Sequence, residues 1–379
     1  MITSKLPNVE TTIFTVMSKM AKDHKAINLS QGFPDFPSDP LLMDYVSEAM
    51  QKGFNQYAPM QGDLGLRQII SAKCRSLYGR TYDPNTEITI TAGATQAIFT
   101  AIAATIQKGD EVIIFTPAYD CYEPAIELFG GITVPFQLRP PNYAPNWEEV
   151  AKQITGKTKM IMVNTPHNPS GAILTEDDML QLQKLAEEHD LLVVSDEVYE
   201  HIIFDGHQHQ SAARFDALSQ RSFITASFGK TFHNTGWKMG YCLAPAYLTK
   251  EFQKVHQYNV FSVNHPAQNA LARYLETEAH YMELPDFYQK KRDLFLDLIK
   301  DSKFKIVPAK GTYFQLLDYS DISSEGDVAF AERLTKEHGL ATIPTSVFNK
   351  CQEDFQQIRV CFAKKEETLR AAAQILNQL

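Results

Sequence analysis

The sequence predicts an α/β fold: a large unit built on a mostly parallel sheet covered by helices, followed by a smaller mixed α/β unit. Three observations lead there. Between about residues 85 and 245, short β-rich runs alternate with stretches of helical periodicity, the pattern left by crossover connections between parallel strands. After residue 245 the periodicity turns helical, and the last eighty or so residues return to strand-like runs before a closing helix. A chain of 379 residues with 44% hydrophobic content is long enough to bury two cores.

Taken in order, EITIT (87–91) precedes the helical AGATQAIFTAIAATI, EVIIFTP (111–117) precedes DCYEPAIELFGG, and KMIMVNTP (159–166) is a continuous apolar run of the kind that is buried on both faces. Thr175, with Asp178 three residues later, forms a capping box that opens the amphipathic EDDMLQLQKLAEEHD. The strands LLVVSDEV (191–198), SFITASF (222–228) and KMGYCLAP (238–245) follow. The helical stretches YLTKEFQKVHQY and DFYQKKRDLFLDLIKDS lead into the smaller unit. There FKIV, GTYFQLLDY and QIRVCFA read as strands and KEETLRAAAQILNQL as the final helix. No repeat, low-complexity tract or flexible linker separates the two units, so they are expected to share an interface.

Charge and composition exclude several classes. The formal net charge is −9, from 36 basic and 45 acidic residues, and the pairs Lys290-Lys291 and Lys364-Lys365 stand apart rather than in a stripe; neither nucleic acid nor an anionic membrane is an expected partner. Five cysteines, at 74, 121, 242, 351 and 361, show no metal-ligand spacing and are expected to be reduced thiols in a cytoplasmic protein. The first twenty residues carry no secretory pattern, and no apolar run reaches eighteen residues.

In an open parallel sheet, ligands bind beyond the carboxyl ends of the strands. Those ends supply Gly93, Ala94 and Thr95 after EITIT; Tyr119 after EVIIFTP; Asn168 after KMIMVNTP; Asp196 and Tyr199 in LLVVSDEVY; and Ser227 and Lys230 after SFITASF. Lys230 has no charged residue among its immediate neighbours, and Lys238 follows eight positions on. Gly229-Lys230-Thr231 is not the end of a phosphate-binding loop, because Ile224 stands where that loop needs glycine, and TAGATQA is not a dinucleotide fingerprint. An amine nucleophile, a carboxylate, neutral hydrogen-bonding groups, an aromatic plate and a glycine-led helix N-terminus are the parts that a pyridoxal 5'-phosphate site needs. Lys230 would attack the cofactor aldehyde, and Asp196 would keep the ring nitrogen protonated. Asn168 and Tyr199 would donate to the phenolic oxygen, and Tyr119 would stack on the ring. The amides of Ala94 and Thr95, with Ser227 and Lys238, would hold the phosphate. Taken singly, each of these residues also suits a cap, a turn, an ion pair or a core position. Their occurrence in order around one crevice carries the assignment.

SFGKTFHNTGWKMGY, NTPHNPSG, SDEVYE, NQYAPMQGDLGLR and QIRVCF together resemble a fold-type I, class I aminotransferase along essentially the full chain. SQGFPDF, FTPAYDCYEPAI and KVHQYNVFSVNHPAQ place the likeness nearest the bacterial methionine aminotransferases and the kynurenine aminotransferase and glutamine transaminase K group. The one departure noted is His167, where an asparagine is common before Asn168. The resemblance implies a homodimer with its active sites at the interface. It also implies an N-terminal arm with part of the small domain over 1–45, a large domain over 46–285 and a small domain over 286–379. Arg359 would clamp the substrate carboxylate, with the Gly32 amide beside it, and Tyr57 would reach the phosphate of the neighbouring subunit's cofactor. Phe14, Tyr57, Tyr258 and Phe261 would line an uncharged substrate pocket, with Asn168 also facing the substrate. The expected activity is ping-pong transamination from a neutral L-amino acid, methionine or aromatic, to a 2-oxo acid. The alternative is a kynurenine or glutamine transaminase with cysteine-conjugate β-lyase activity. A ligand-binding relative without catalysis would be expected to lack Lys230 or Asp196, and both are present.

Overall fold

A computed structural model describes residues 2–379. A short β1 (Ile27–Asn28) precedes β2 (Ile88–Thr91), β3 (Glu111–Thr116), β4 (Ile132–Gln137), β5 (Thr158–Asn164), β6 (Leu192–Asp196), β7 (Ser222–Ser227) and β8 (Gly240–Leu243). β9 (Phe314–Asp318), β10 (Leu340–Ala341), β11 (Ile343–Pro344) and β12 (Gln357–Cys361) follow. Strands β2 to β8 form one sheet in the order β2-β8-β7-β6-β5-β3-β4. All neighbours are parallel except β8, which runs antiparallel to both β2 and β7. The fold is therefore the expected α/β class, with a large sheet that is mostly parallel and mixed only through β8.

Successive side chains point to opposite faces, so a strand covered on both faces must be apolar throughout. Val112 and Ile114 of β3, Met160 and Met162 of β5, Val194 of β6 and Phe223 of β7 belong to one buried cluster. Ile113, Ile161, Val163, Val193 and Ile224, the residues between them, belong to the other. Five helices are relevant to the layers: the longer α1 (Ile13–Asp23), α2 (Pro40–Gln51), α3 (Leu64–Tyr78) and α4 (Gly93–Thr105), and the short α5 (Tyr122–Leu128). The apolar α4 supplies Ala97, Ile98, Ala101 and Ile102 to the first cluster, whereas Leu66, Ile70 and Cys74 of α3 join the second.

Two elements differ from the sequence expectation. Edge strand β4 contains Pro135, which has no amide hydrogen and is tolerated only where one side of the strand is unpaired; that proline and the preceding Gly130-Gly131 mask the strand pattern. FKIV forms only a single bridge, Lys305 to Asp318. The Thr175 capping box is present, with both reciprocal hydrogen bonds closed. In the C-terminal part, β11-β12-β9 form an antiparallel sheet, and β1 pairs in parallel with β10 through Ile27 and Leu340. The N-terminal segment is thus tied to the C-terminal sheet region. Among the described residues, no helix is long and apolar enough to cross a membrane, and all five cysteines are free thiols.

Below the turn that follows β6 lies a buried ion pair. Lys73 Nζ of α3 is 2.6 Å from Glu200 Oε1 and donates to the Tyr241 hydroxyl at 2.9 Å. Tyr241 and Tyr78 both donate to Glu200. Burial alone would raise the Glu200 carboxyl; Lys73 beside it holds it well below the usual range. This set fastens α3, β8 and the turn together. Removing one partner strands the other charge, so Lys73→Met is expected to lower the stability of the cofactor-free protein by about 3–5 kcal/mol. Lys73→Met with Glu200→Leu should recover most of that loss in urea unfolding. A single-variant loss below about 1 kcal/mol, the range of a surface pair, would show that the pair is not desolvated as described.

Candidate active site

The strand order creates the site. β3 and β5 lie side by side, but the chain leaves β3 for β4 at one edge and leaves β5 for β6 in the opposite direction, so the connections diverge and open a crevice at their carboxyl ends. A cavity of about 300 Å³ sits there. Phe14, Gly32, Gly93, Ala94, Thr95, Tyr119, Asn168, Asp196, Tyr199, Ser227, Lys230, Lys238 and Arg359 all line it.

Lys230 stands on the helical turn Phe228–Thr231 directly after β7. Its Nζ donates to the Gly32 carbonyl at 3.2 Å, an acceptor shared with the Tyr313 hydroxyl at 2.6 Å. Burial, with Arg359 and Lys238 adding repulsion, lowers the ammonium from 10.5 to about 8. Asp196 ends β6 and is 4% exposed. Its Oδ2 accepts from the Tyr122 hydroxyl at 2.5 Å, while Oδ1 has no partner among the described residues. Burial pushes this carboxyl up to about 6 against the pull of Tyr122, the Val198 amide and Lys230.

Arg359 lies on β12, in the middle of the smaller sheet, and is 1% exposed. Its Nη1 donates to Asn168 Oδ1 at 2.8 Å and its Nη2 to the Ser30 carbonyl at 2.9 Å; Nε has no partner. The guanidinium lies 3.9 Å from the Phe314 ring centre and 5.2 Å from that of Phe14. No carboxylate pairs with it among the described residues. A buried cation satisfied only by neutral acceptors is suited to receiving an anion.

At the other end, α4 begins at Gly93 with no side-chain cap, leaving its first amides free toward the cavity. Gly93 has φ +76°, a left-handed backbone that favours glycine, and the Lys238 ammonium lies within contact distance of this position. Lys238 does not begin a strand as predicted. It adopts φ 54° after the turn Thr235–Trp237, and β8 starts two residues later. Gly32 also has a steric reason, since a Cβ would lie 2.8 Å from the Phe314 ring.

The family model for aminotransferase class I and II matches residues 24–376. The chain belongs to this aminotransferase family. It is 50% identical to methionine aminotransferase of Escherichia coli, over 99% of this chain and 98% of that protein. It is 32% identical to human kynurenine–oxoglutarate transaminase 1, over 99% and 97%. A crystal structure from Escherichia coli, reported as identifying a methionine aminotransferase function, superposes with a TM-score of 0.98 at 49% identity, covering both chains completely. A single mutant of Thermus thermophilus aspartate aminotransferase superposes with a TM-score of 0.92 at 29% identity, over 100% of this chain and 99% of that one.

Three sequence-predicted residues of the aminotransferase stand outside the cavity of the single chain. Tyr57 is 79% exposed, Tyr258 91% and Phe261 39%. Tyr57 and Phe261 meet edge to face at 5.2 Å on the surface. Tyr258 and Phe261 therefore do not wall this chain's own cavity as expected: Tyr258 lies at the exposed end of the helix Ala246–Asn259, and Phe261 on the bend just after it. Conversely, Asn164, Tyr122, Tyr313 and Phe314 were not anticipated. Asn164 at the end of β5 bridges the Asn168 amide and the Asp196 carbonyl; its place at a strand end was the available signal. His167 is neutral, lowered to about 4 by burial, and joins the Pro117 carbonyl after β3 to Ser170. It fastens the loops that carry Tyr119 and Asn168. His233 meets the Tyr288 hydroxyl at 2.9 Å.

The Lys230 shift has a sign that can be tested. Between about pH 8 and 10.5 the unfolded chain binds more protons at Lys230 than the folded chain, so this group makes the cofactor-free protein more stable as pH rises through that window. The neutral amine is the nucleophile. Capture of a small aldehyde at Lys230, trapped with borohydride and read by peptide mass, is therefore expected to rise with a midpoint near pH 8. A midpoint near 10.5, the ordinary lysine value, would mean that the amine is solvated.

Proposed function

We propose that the cavity binds pyridoxal 5'-phosphate and that the enzyme moves the amino group of a neutral L-amino acid, methionine first and aromatic amino acids next, to a 2-oxo acid by a ping-pong route. One observation carries this reading: a single cavity presents a desolvated amine, a buried carboxylate with one unpartnered oxygen, and a buried guanidinium with no carboxylate partner. Each unmet group matches one part of the cofactor or the substrate. Lys230 matches the aldehyde, Asp196 Oδ1 the protonated ring nitrogen, and Arg359 the α-carboxylate. Ala94, Thr95, Ser227 and Lys238 would hold the phosphate, Tyr119 would cover the ring, and Asn168 and Tyr199 would meet its phenolic oxygen.

The bound cofactor supplies an aldehyde for amine exchange and a ring that accepts the electron pair left when the substrate loses its α-proton. Lys230 Nζ would take up the α-proton and return it to the cofactor side, which an amine with a pKa of about 8 can do near neutral pH. Asn168 and Ser30 hold the Arg359 fork in place before any anion arrives. Arg359 is the single arginine among the lining residues, so a side-chain carboxylate meets no second guanidinium, whereas Phe14 and Phe33 offer apolar walls. The 50% identity to a methionine aminotransferase supports the same choice.

The exposed Tyr57 and Phe261 support a homodimer in which each copy completes the other's site. The β1–β10 pairing supports counting residues 1–45 partly with the small domain, beside a large domain over 46–285 and a small one over 286–379. The five free thiols are in keeping with a cytoplasmic setting.

The first test is the visible spectrum of the cofactor-loaded enzyme on addition of L-methionine without a 2-oxo acid. Loss of the lysine-bound cofactor band, with growth of the aminated cofactor band, is expected. A band that ignores methionine but answers another amino acid sinks the substrate choice alone, and a Lys230→Ala protein that still forms the band sinks the lysine assignment. A β-lyase would release pyruvate, ammonia and a thiol from a cysteine conjugate. Arg359→Lys is expected to raise KM for the amino acid roughly ten- to hundred-fold, the range for losing a hydrogen bond to a charged group. An unchanged KM would remove Arg359 from substrate binding.

A further inference from the structure

Tyr122 does not line the cavity, yet its hydroxyl makes the 2.5 Å hydrogen bond to Asp196 Oδ2. We propose that Tyr122 is a positioning residue for the cofactor: by engaging Oδ2 it turns the Asp196 carboxylate so that Oδ1, still ionised, faces the ring nitrogen. The proposal rests on the reading that the cavity holds pyridoxal phosphate.

The geometry offers the carboxylate little else. Asp196 is buried at the end of β6, and no cation lies within ion-pair distance of it among the described residues. A carboxylate desolvated in this way is driven toward its neutral form unless donors hold it charged. Tyr122 is the one hydrogen-bond donor to this carboxylate among the described residues, and the nearby Val198 amide also favours the charged form. Lys230 acts only through space, and Glu197 opposes it. Tyr122 is itself suited to the task. Its burial, reinforced by the Asp196 charge, keeps the phenol protonated far above neutral pH, so it donates and does not compete for the proton.

Its placement is equally constrained. Tyr122 is the first residue of α5, buried at 3% exposure, and it follows Tyr119 by three residues. The two rings meet edge to face at 6.0 Å. One side chain thus braces both the carboxylate at the end of β6 and the aromatic plate after β3. A carboxylate held by one oxygen presents the other in a fixed direction, and Oδ1 is the oxygen without a partner.

The test compares two cofactors on the cofactor-free protein: pyridoxal phosphate and its analogue with C–H in place of the ring nitrogen. Wild type is expected to bind pyridoxal phosphate more tightly, because only that molecule can pair with Asp196. Tyr122→Phe, which keeps the ring and its packing, is expected to lose roughly ten-fold or more of its pyridoxal phosphate affinity with no loss for the analogue. Asp196→Asn should show the same selective loss, and adding Tyr122→Phe to it should change nothing further, as two residues acting through one contact require. Equal losses for both cofactors in Tyr122→Phe would reduce Tyr122 to packing and overturn the proposal. So would a full additional loss in the double variant, or an unchanged affinity in the single one. If wild type binds neither molecule, the cofactor reading itself fails and takes this inference with it. If wild type binds both equally, Asp196 does not pair with the ring nitrogen, and the role assigned to Tyr122 falls while the cofactor reading stands.

Discussion

Burial of charged groups without opposite charges beside them is the constraint on which the rest of this structure depends. Asp196 and Arg359 are buried and Lys230 is half-buried, and each is satisfied only in part by neutral hydrogen-bonding groups. Isolated charges of this kind are unfavourable in a protein interior, and a fold selected for stability alone would pair them or replace them. They could also pair with one another, the acid with either base. The sheet prevents this by holding Asp196 at the end of β6, Lys230 after β7 and Arg359 on the other sheet. A rigid frame keeps the charges apart so that a ligand can satisfy all of them.

That frame must be stiff where the charges sit, and the residues that stiffen it lie behind the cavity. Glu197 and Glu200 flank Asp196 and Tyr199 in sequence but point away from the cavity. Glu197 accepts from Ser195, His209 and the Ala212 amide, and Glu200 from Lys73, Tyr78 and Tyr241. The turn after β6 therefore intersperses residues that line the cavity with residues anchored in the protein. On the opposite side, His167 and Asn164 connect the loops after β3, β5 and β6. Because these are polar networks with nearly all members satisfied, they favour one arrangement of the loops over others.

How much of this was legible in the sequence depends on which physical signal each residue leaves. The central strands β3, β5, β6 and β7 are apolar on both faces, so their runs are continuous and their ends are easy to place. Once the ends are placed, Lys230, Asp196, Tyr199, Tyr119 and Asn168 follow from the rule that ligands gather there. Edge strand β4 leaves no such run, since an unpaired side admits Pro135. Tyr122, Tyr313 and Phe314 were hidden for a different reason. Their contacts with Asp196, Gly32 and Arg359 join segments far apart in the chain, and an aromatic residue in such a segment reads as ordinary core. Lys238 shows how a small local error arises. Its neighbours are strand-like, but the short turn before it forces a left-handed backbone, and that geometry sets its ammonium beside Gly93.

The exposed aromatics extend the same reasoning to the surface. A tyrosine and a phenylalanine in contact at 5.2 Å, both open to solvent, give a single chain no stability that polar residues could not match. They become useful only if covered, and exposed apolar groups of this kind mark interaction sites. The proposed function supplies a cover, because a second copy of the chain would bring Tyr57 and Phe261 toward a cavity whose own walls are otherwise the frame just described. The start of α4 with Lys238, where the proposed function places the phosphate, and the apolar wall beside Phe14 are then the two regions where such a copy could add what one chain lacks. On the proposed function, the separated charges inside the chain and the exposed aromatic pair outside it follow from one requirement: a site that a cofactor, a substrate and a second copy would complete.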